Sequence, residues 1–213
     1  MNDFLILIFQ FLVFIFSVMI HEVSHGLVAY RLGDETAKDM GRLTLNPLKH
    51  LDPIGSFLLP MILFLTNSPV LFGWAKPVPY NPNNLKDPKK GAALIGLAGP
   101  LSNIAIAVIF GILIRLIGIF SGLSETTMPA ILFLNIIVFI NIILAVFNLV
   151  PIPPLDGSKV LFAVLPSKYS YIQQFLEQYG MVILLFFIFF GFGLITPIIQ
   201  SFYSLIAGPY GFL

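Results

Sequence analysis

The chain has 213 residues, of which 58% are hydrophobic and only 10% charged, and its mean hydropathy is +0.97. Soluble domains carry about 25% charged residues, so this composition excludes an ordinary soluble fold and sends most of the surface into lipid. The net charge of +1 offers no basic excess for nucleic acid. The absence of cysteine excludes disulfides and thiolate ligands, so any metal must be held by His, Asp or Glu.

The first apolar stretch runs from Phe4 to Leu32, longer than the ~20 residues a span needs. It has no basic leader region or small-residue cleavage site, and it reads as a retained helix. Residues 33–53 are polar; within them GRLTLNPL reads as a site for a short strand and NPLKHLDP as a turn. The second apolar stretch, 54–75, contains Gly55, Pro60, Asn67, Pro69 and Gly73, a poor recipe for an uninterrupted helix. KPVPYNPNNLKDPKK follows as a surface loop. The third stretch, 92–120, opens with GAALIGLAGPLSN, whose small residues allow close helix packing. The fourth, Met128 to Val150, ends in PIPPLDG. The fifth begins near Met181 and runs to about Ile195, with Pro197 next and an apolar tail suited to a further short span. The expected fold is an all-α polytopic membrane protein: one domain over 1–213, a core over about 4–165 and C-terminal helices in 181–213. It forms a bundle of about four to six transmembrane helices with a re-entrant segment at 54–75.

Two of the three histidines, His21 and His25, fall in HEVSH inside the first span. Residues four apart share one helix face, so both rings can reach one metal. Glu22 stands beside them as base for a water on that metal, the arrangement of an HExxH motif. From His21 to Tyr30 is ~14 Å of helix, which places the group within the hydrocarbon. Each ionisable group there costs roughly 2.5–3.5 kcal/mol on insertion scales, and a bound cation compensates. The bland alternative is a metal-free polar cluster between helices.

Catalytic zinc takes three protein ligands. Asp156, in the proline-broken NLVPIPPLDG, is a candidate third ligand; its ordinary role would be to cap a helix starting near Ser158. His50 is a further candidate, set in a polar turn where a hydrogen-bonded histidine is the usual case. Asn148 can donate to a developing oxyanion or glue helices together, and Asn135 and Asn141 read as glue. Gly99, Pro100 and Asn103 read as a place where the third helix kinks or loosens near the site.

HEVSH in a membrane helix, paired with NLVPIPPLDG, resembles the site-2 protease family of intramembrane metalloproteases; AGPLSN and NPLKHLDPIGSFLLP resemble segments of its compact prokaryotic members. The likeness covers about residues 15–165. It implies one zinc ion per chain on His21, His25 and Asp156, Glu22 as catalytic base, and Asn148 as the asparagine that helps hold substrate or oxyanion. It implies transmembrane protein substrates, often cut first by another protease, and a prokaryotic plasma membrane. The PDZ and CBS domains of many relatives are missing here. The rival readings are a metal-ion transporter, which would need several sites along a path and often repeated halves, and an inactive helix-binding relative.

A shared metal also constrains topology. If His21, His25 and Asp156 meet, the first and fourth stretches end on the same side, and one of the two stretches between them does not cross. With 54–75 as that segment, ten of the eleven Lys and Arg residues lie on one side and only Arg115 lies near the other, which places the site toward the cytoplasm.

Overall fold

The computed structural model describes residues 3–58, 61–62, 65–66 and 76–211. Helix α1 spans Asp3–Arg31 and is followed by the short α2, Thr36–Asp39. Helix α3, Pro88–Ser121, starts where Asp87 accepts a hydrogen bond from Lys90 N and Pro88 occupies the first turn. Both are strong start signals, because the first turn of a helix leaves N–H groups to be capped and proline has none to waste. Gly122, at φ 64°, ends it. Helix α4 is Met128–Asn148 and α5 is Asp156–Val164. A last helical run comprises α6, Ser170–Phe186, a π-helical turn at Phe187–Gly191, and α7, Phe192–Ala207.

Helix α3 is the hub and packs on α1, α4, α5 and α7. One apolar core lies between α3, α4 and α7, built on Ala107, Ile114, Ile131, Val138, Ile142, Ile195, Ile199 and Ala207. A second, at the other end, joins Ala29, Leu85 and Ile95. Among the described residues four helical runs are long and apolar enough to cross a membrane, yet only 17–33% of each spanning window is buried in the protein. The rest of that apolar surface needs lipid, so the molecule is an all-α polytopic membrane protein.

Arg115 sits inside the α3 span, where a bare guanidinium would be costly. It donates to the carbonyls of Leu205 and, at 2.9 Å, Ile206. These belong to the last turn of α7, whose terminal carbonyls lack helical donors and carry partial negative charge. Tyr203 likewise donates to Asn135 Oδ1, while Asn135 Nδ2 binds Ile131 O at 2.8 Å. The expectation that Asn135 joins helices fits these bonds.

Two local expectations need correction. GRLTLNPL forms no strand: among the described residues it has no strand to pair with, Thr44 O binds His50 Nε2 at 2.9 Å, and a 3-10 turn covers Pro47–Lys49. The last helical run begins before the apolar stretch that starts near Met181, and it continues through Pro197. It starts at Ser170, and Pro197 lies inside α7. Membrane helices tolerate proline because side chains and neighbours re-satisfy the freed backbone groups. Much of 54–75, the expected re-entrant segment, lies outside the described residues. Its flanks are described: Asn81 N and Asn84 Nδ2 donate to Asp34 at 2.8 and 2.7 Å. The chain therefore leaves α1 and enters α3 at the same end of the bundle, with no net crossing between.

Candidate metal centre

HEVSH occupies one face of α1, and small residues let α3 approach it. A Cβ on Gly99 would lie 2.5 Å from His21 Nε2 and 2.6 Å from His25 Nε2, so only glycine leaves room for the two rings. One helical turn on, Asn103 is wholly buried. His21 Nδ1 donates to Asn103 Oδ1 at 2.7 Å; Asn103 Nδ2 donates to Asn141 Oδ1 at 2.9 Å, and Asn141 Nδ2 to Ser17 Oγ at 2.9 Å. His25 Nδ1 donates to Ile95 O at 2.5 Å. Each ring thus spends its Nδ1 proton on an oxygen, which leaves the Nε2 lone pair to face inward.

Asp156 closes the group. Its Oδ2 lies 3.0 Å from His21 Nε2 and 3.0 Å from His25 Nε2, while its Oδ1 accepts from Lys159 Nζ at 2.8 Å. Asp156 is the first residue of α5, with Leu155 in the capping position. Its carboxylate therefore serves the histidines and Lys159, and the reading of Asp156 as a cap for a helix near Ser158 is corrected. Because His21 and His25 on α1 meet Asp156 just past the end of α4, those two helices run in the same direction.

Two histidine nitrogens and one carboxylate oxygen converge here. A tetrahedral zinc with ligand bonds of about 2.0–2.1 Å sets its donors about 3.3 Å apart. The observed 3.0 Å separations fit that ion, and nitrogen with carboxylate oxygen is a donor set zinc accepts. One oxygen of Glu22 is close as well: donor atoms of His21, Glu22 and His25 lie within 4.8 Å of one another. Glu22 Oε2 is already engaged by Val78 N at 2.8 Å, which favours Asp156 over Glu22 as the third donor.

The cluster opens into a cleft of about 360 Å³, lined by Pro77–Tyr80 and by Ile95, Asn148, Pro154 and Lys159. Asn148 lines it, with Nδ2 donating to Leu144 O at 2.9 Å. His50 is not brought to the cluster or the cleft. It is buried in its own turn, where it bonds Thr44 O. Sequence reasoning missed Val78, Lys159 and the orienting role of Asn103. For Asn103 a signal existed: an amide side chain four residues after Gly99 in the apolar part of the helix.

The chain resembles known proteins over most of its length. It is 38% identical over 173 residues to "Putative zinc metalloprotease YwhC" of Bacillus subtilis (strain 168), an alignment covering 80% of this chain and 75% of that protein. Residues 115–191 match the profile described as Peptidase family M50. The chain belongs to Peptidase family M50. Within that family it is 31% identical over 145 residues to "Putative zinc metalloprotease Rip2" of Mycolicibacterium smegmatis, covering 68% of this chain and 52% of that protein. It is 27% identical over 174 residues to "Zinc metalloprotease MJ0392" of Methanocaldococcus jannaschii, covering 82% of this chain and 39% of that protein. It thus spans about half or less of those two. No solved structure matches it. This M50 chain is a zinc metalloendopeptidase of the site-2 protease type.

Proposed function

We propose that this metalloprotease hydrolyses peptide bonds in or beside the transmembrane segments of other membrane proteins. In this reading His21, His25 and Asp156 hold one zinc ion and Glu22 is the general base. The observation that carries it is the convergence of two histidine nitrogens on one carboxylate oxygen, each at 3.0 Å, beside Glu22 and at the mouth of a cleft. Zinc bound there supplies Lewis acidity toward the scissile carbonyl and the attacking water.

The chain's own groups do the rest. Glu22 takes the proton of the attacking water and delivers it to the leaving amine. Asn148 spends one amide hydrogen on Leu144 O and has a second for the substrate carbonyl. A substrate helix must open locally before its carbonyl can be attacked, because helical carbonyls are already hydrogen-bonded. All the basic residues except Arg115 sit toward the site end of the bundle, and we place that end at the cytoplasmic face.

The test compares wild type with Glu22→Gln on membrane-protein substrates in liposomes. The variant should keep about one zinc per chain and lose cleavage by at least about 100-fold. Undiminished proteolysis by Glu22→Gln would remove Glu22 from the mechanism, and zinc flux across the liposomes that the variant abolishes would make the chain a transporter.

A further inference from the structure

Residues 76–80 read Lys-Pro-Val-Pro-Tyr. Proline has no N–H, so Val78 carries the one backbone donor of residues 77–79. A residue before proline is driven to extended conformations, and both Lys76 and Val78 precede one. The sequence therefore makes a straight, stiff segment with a single donor at its middle, and the segment belongs to no helix or strand.

The segment is fastened on both sides of that donor. Lys76 N donates to His50 O at 2.8 Å, and Arg42 Nη2 donates to Lys76 O at 2.7 Å. Just past the far end, Asn81 N donates to Asp34 Oδ2 at 2.8 Å. Between them the Val78 side chain is buried against α1, where a Cβ on Gly26 would come within 2.9 Å of Val78 Cγ1. These contacts fix how closely the segment lies on α1. At that depth the Val78 N–H meets Glu22 Oε2 at 2.8 Å.

Glu22 needs such a partner. It is a flexible carboxylate whose donor atom lies within 4.8 Å of the two histidine nitrogens, close enough to compete with Asp156 for the ion. An amide bound to one oxygen withholds that oxygen from the metal, in a side chain that lines the cleft.

We propose that Lys76–Tyr80 is a clamp that positions the Glu22 carboxylate through the Val78 N–H. The inference rests on the reading of Glu22 as base. Val78 is a positioning residue that acts through its backbone, and its side chain sets only the depth of the clamp. His50 and Arg42 find their place here as anchors of that segment.

The test separates donor from side chain. Replacing the Val78 amide by an ester, with the isopropyl group kept, deletes only the donor; Val78→Pro deletes donor and side chain; Val78→Ala keeps the donor. The ester and Val78→Pro should lower kcat by about 10- to 100-fold, as loss of a charge-assisted hydrogen bond does. KM should stay within about twofold, and zinc should stay near one per chain. Val78→Ala keeps the N–H but loosens its seat on α1, so its kcat should fall between those of wild type and the ester. Hydrogen exchange of the Val78 amide gives a second readout that needs neither zinc nor substrate. Protection should persist in Glu22→Gln, which keeps an acceptor, and fall at least about tenfold in Glu22→Ala. An ester variant with wild-type kcat, or equal exchange in wild type and Glu22→Ala, would overturn the clamp. Because exchange is read without turnover, a failure of the protease reading leaves it interpretable.

Discussion

At the scale of single residues, the site is shaped as much by a missing side chain as by the ligands. Gly99 faces both histidine rings, and a methyl there would stand 2.5–2.6 Å from their Nε2 atoms. Packed interiors transmit such strain, and the rings cannot retreat while Asn103 Oδ1 and Ile95 O hold their Nδ1 atoms. Gly99→Ala should therefore weaken zinc binding by on the order of 10- to 100-fold, the range found for lost orienting partners, as read by chelator competition. Gly193→Ala, where a Cβ meets nothing within 4 Å, should leave zinc binding unchanged. Equal affinities in the two variants would show that the packing at Gly99 does not control the site. The sequence made His21, Glu22, His25 and Asp156 legible because ionisable groups in an apolar chain have few innocent explanations. It hid Val78, because a backbone N–H looks the same at every residue, and only the fold shows which one faces a carboxylate.

At the scale of elements, buried carboxylates and terminal carbonyls decide how helices and loops are joined. Asp34, just past α1, is buried and accepts from Thr36 Oγ1 at 2.6 Å, Asn81 N at 2.8 Å, Asn84 Nδ2 at 2.7 Å and Thr36 N at 3.3 Å. Burial works against its ionisation, and these hydrogen bonds outweigh that, so its carboxyl lies below the ordinary value of 3.8. A depressed folded pKa means the stabilisation is complete above about pH 4, the unfolded value, and drains away as pH falls through the folded one. The protection factor of the Asn81 amide should be constant from about pH 5 to 8 and drop below about pH 4. In Asp34→Ala it should be low throughout. A pH-independent protection factor in wild type would remove Asp34 as the tie between α1 and the loop before α3. Helix existence was legible over the long apolar runs, where length alone argues for a span. The start of α6 at Ser170 was not, because SYIQQFLEQYG is too polar to register as a span; in the fold it leads the last helical run, with Gly180 packed close against Pro153.

At the scale of the whole molecule, topology follows from where three side chains meet. His21 and His25 lie on α1, and Asp156 lies just past α4, so α1 and α4 run in the same direction while α3 runs against them. The chain between α1 and α3 returns to the end it left, as the Asp34 contacts with Asn81 and Asn84 require. This parity was readable in advance, because a metal shared between two spans leaves one arrangement of directions. Helical rise puts His21 about 27 Å from the start of α1 and Gly99 about 33 Å from the end of α3. Both distances are close to the ~30 Å thickness of a hydrocarbon core. The loop between α3 and α4 carries Glu125 and no Lys or Arg, and the sole basic residue near it, Arg115, is bound to α7 carbonyls. The chain has no cysteine, so single substitutions report cleanly. Asp39, Asn83 and Ser124 are all exposed. Asp39→Cys and Asn83→Cys should react with a membrane-impermeant maleimide only from the cytoplasmic side, and Ser124→Cys only from the opposite side. Labelling of all three with the sides exchanged would invert the molecule and leave the metal centre intact. Labelling of Asp39→Cys and Asn83→Cys from opposite sides would make 54–75 a full crossing, part α1 from α4, and remove Asp156 from the histidines.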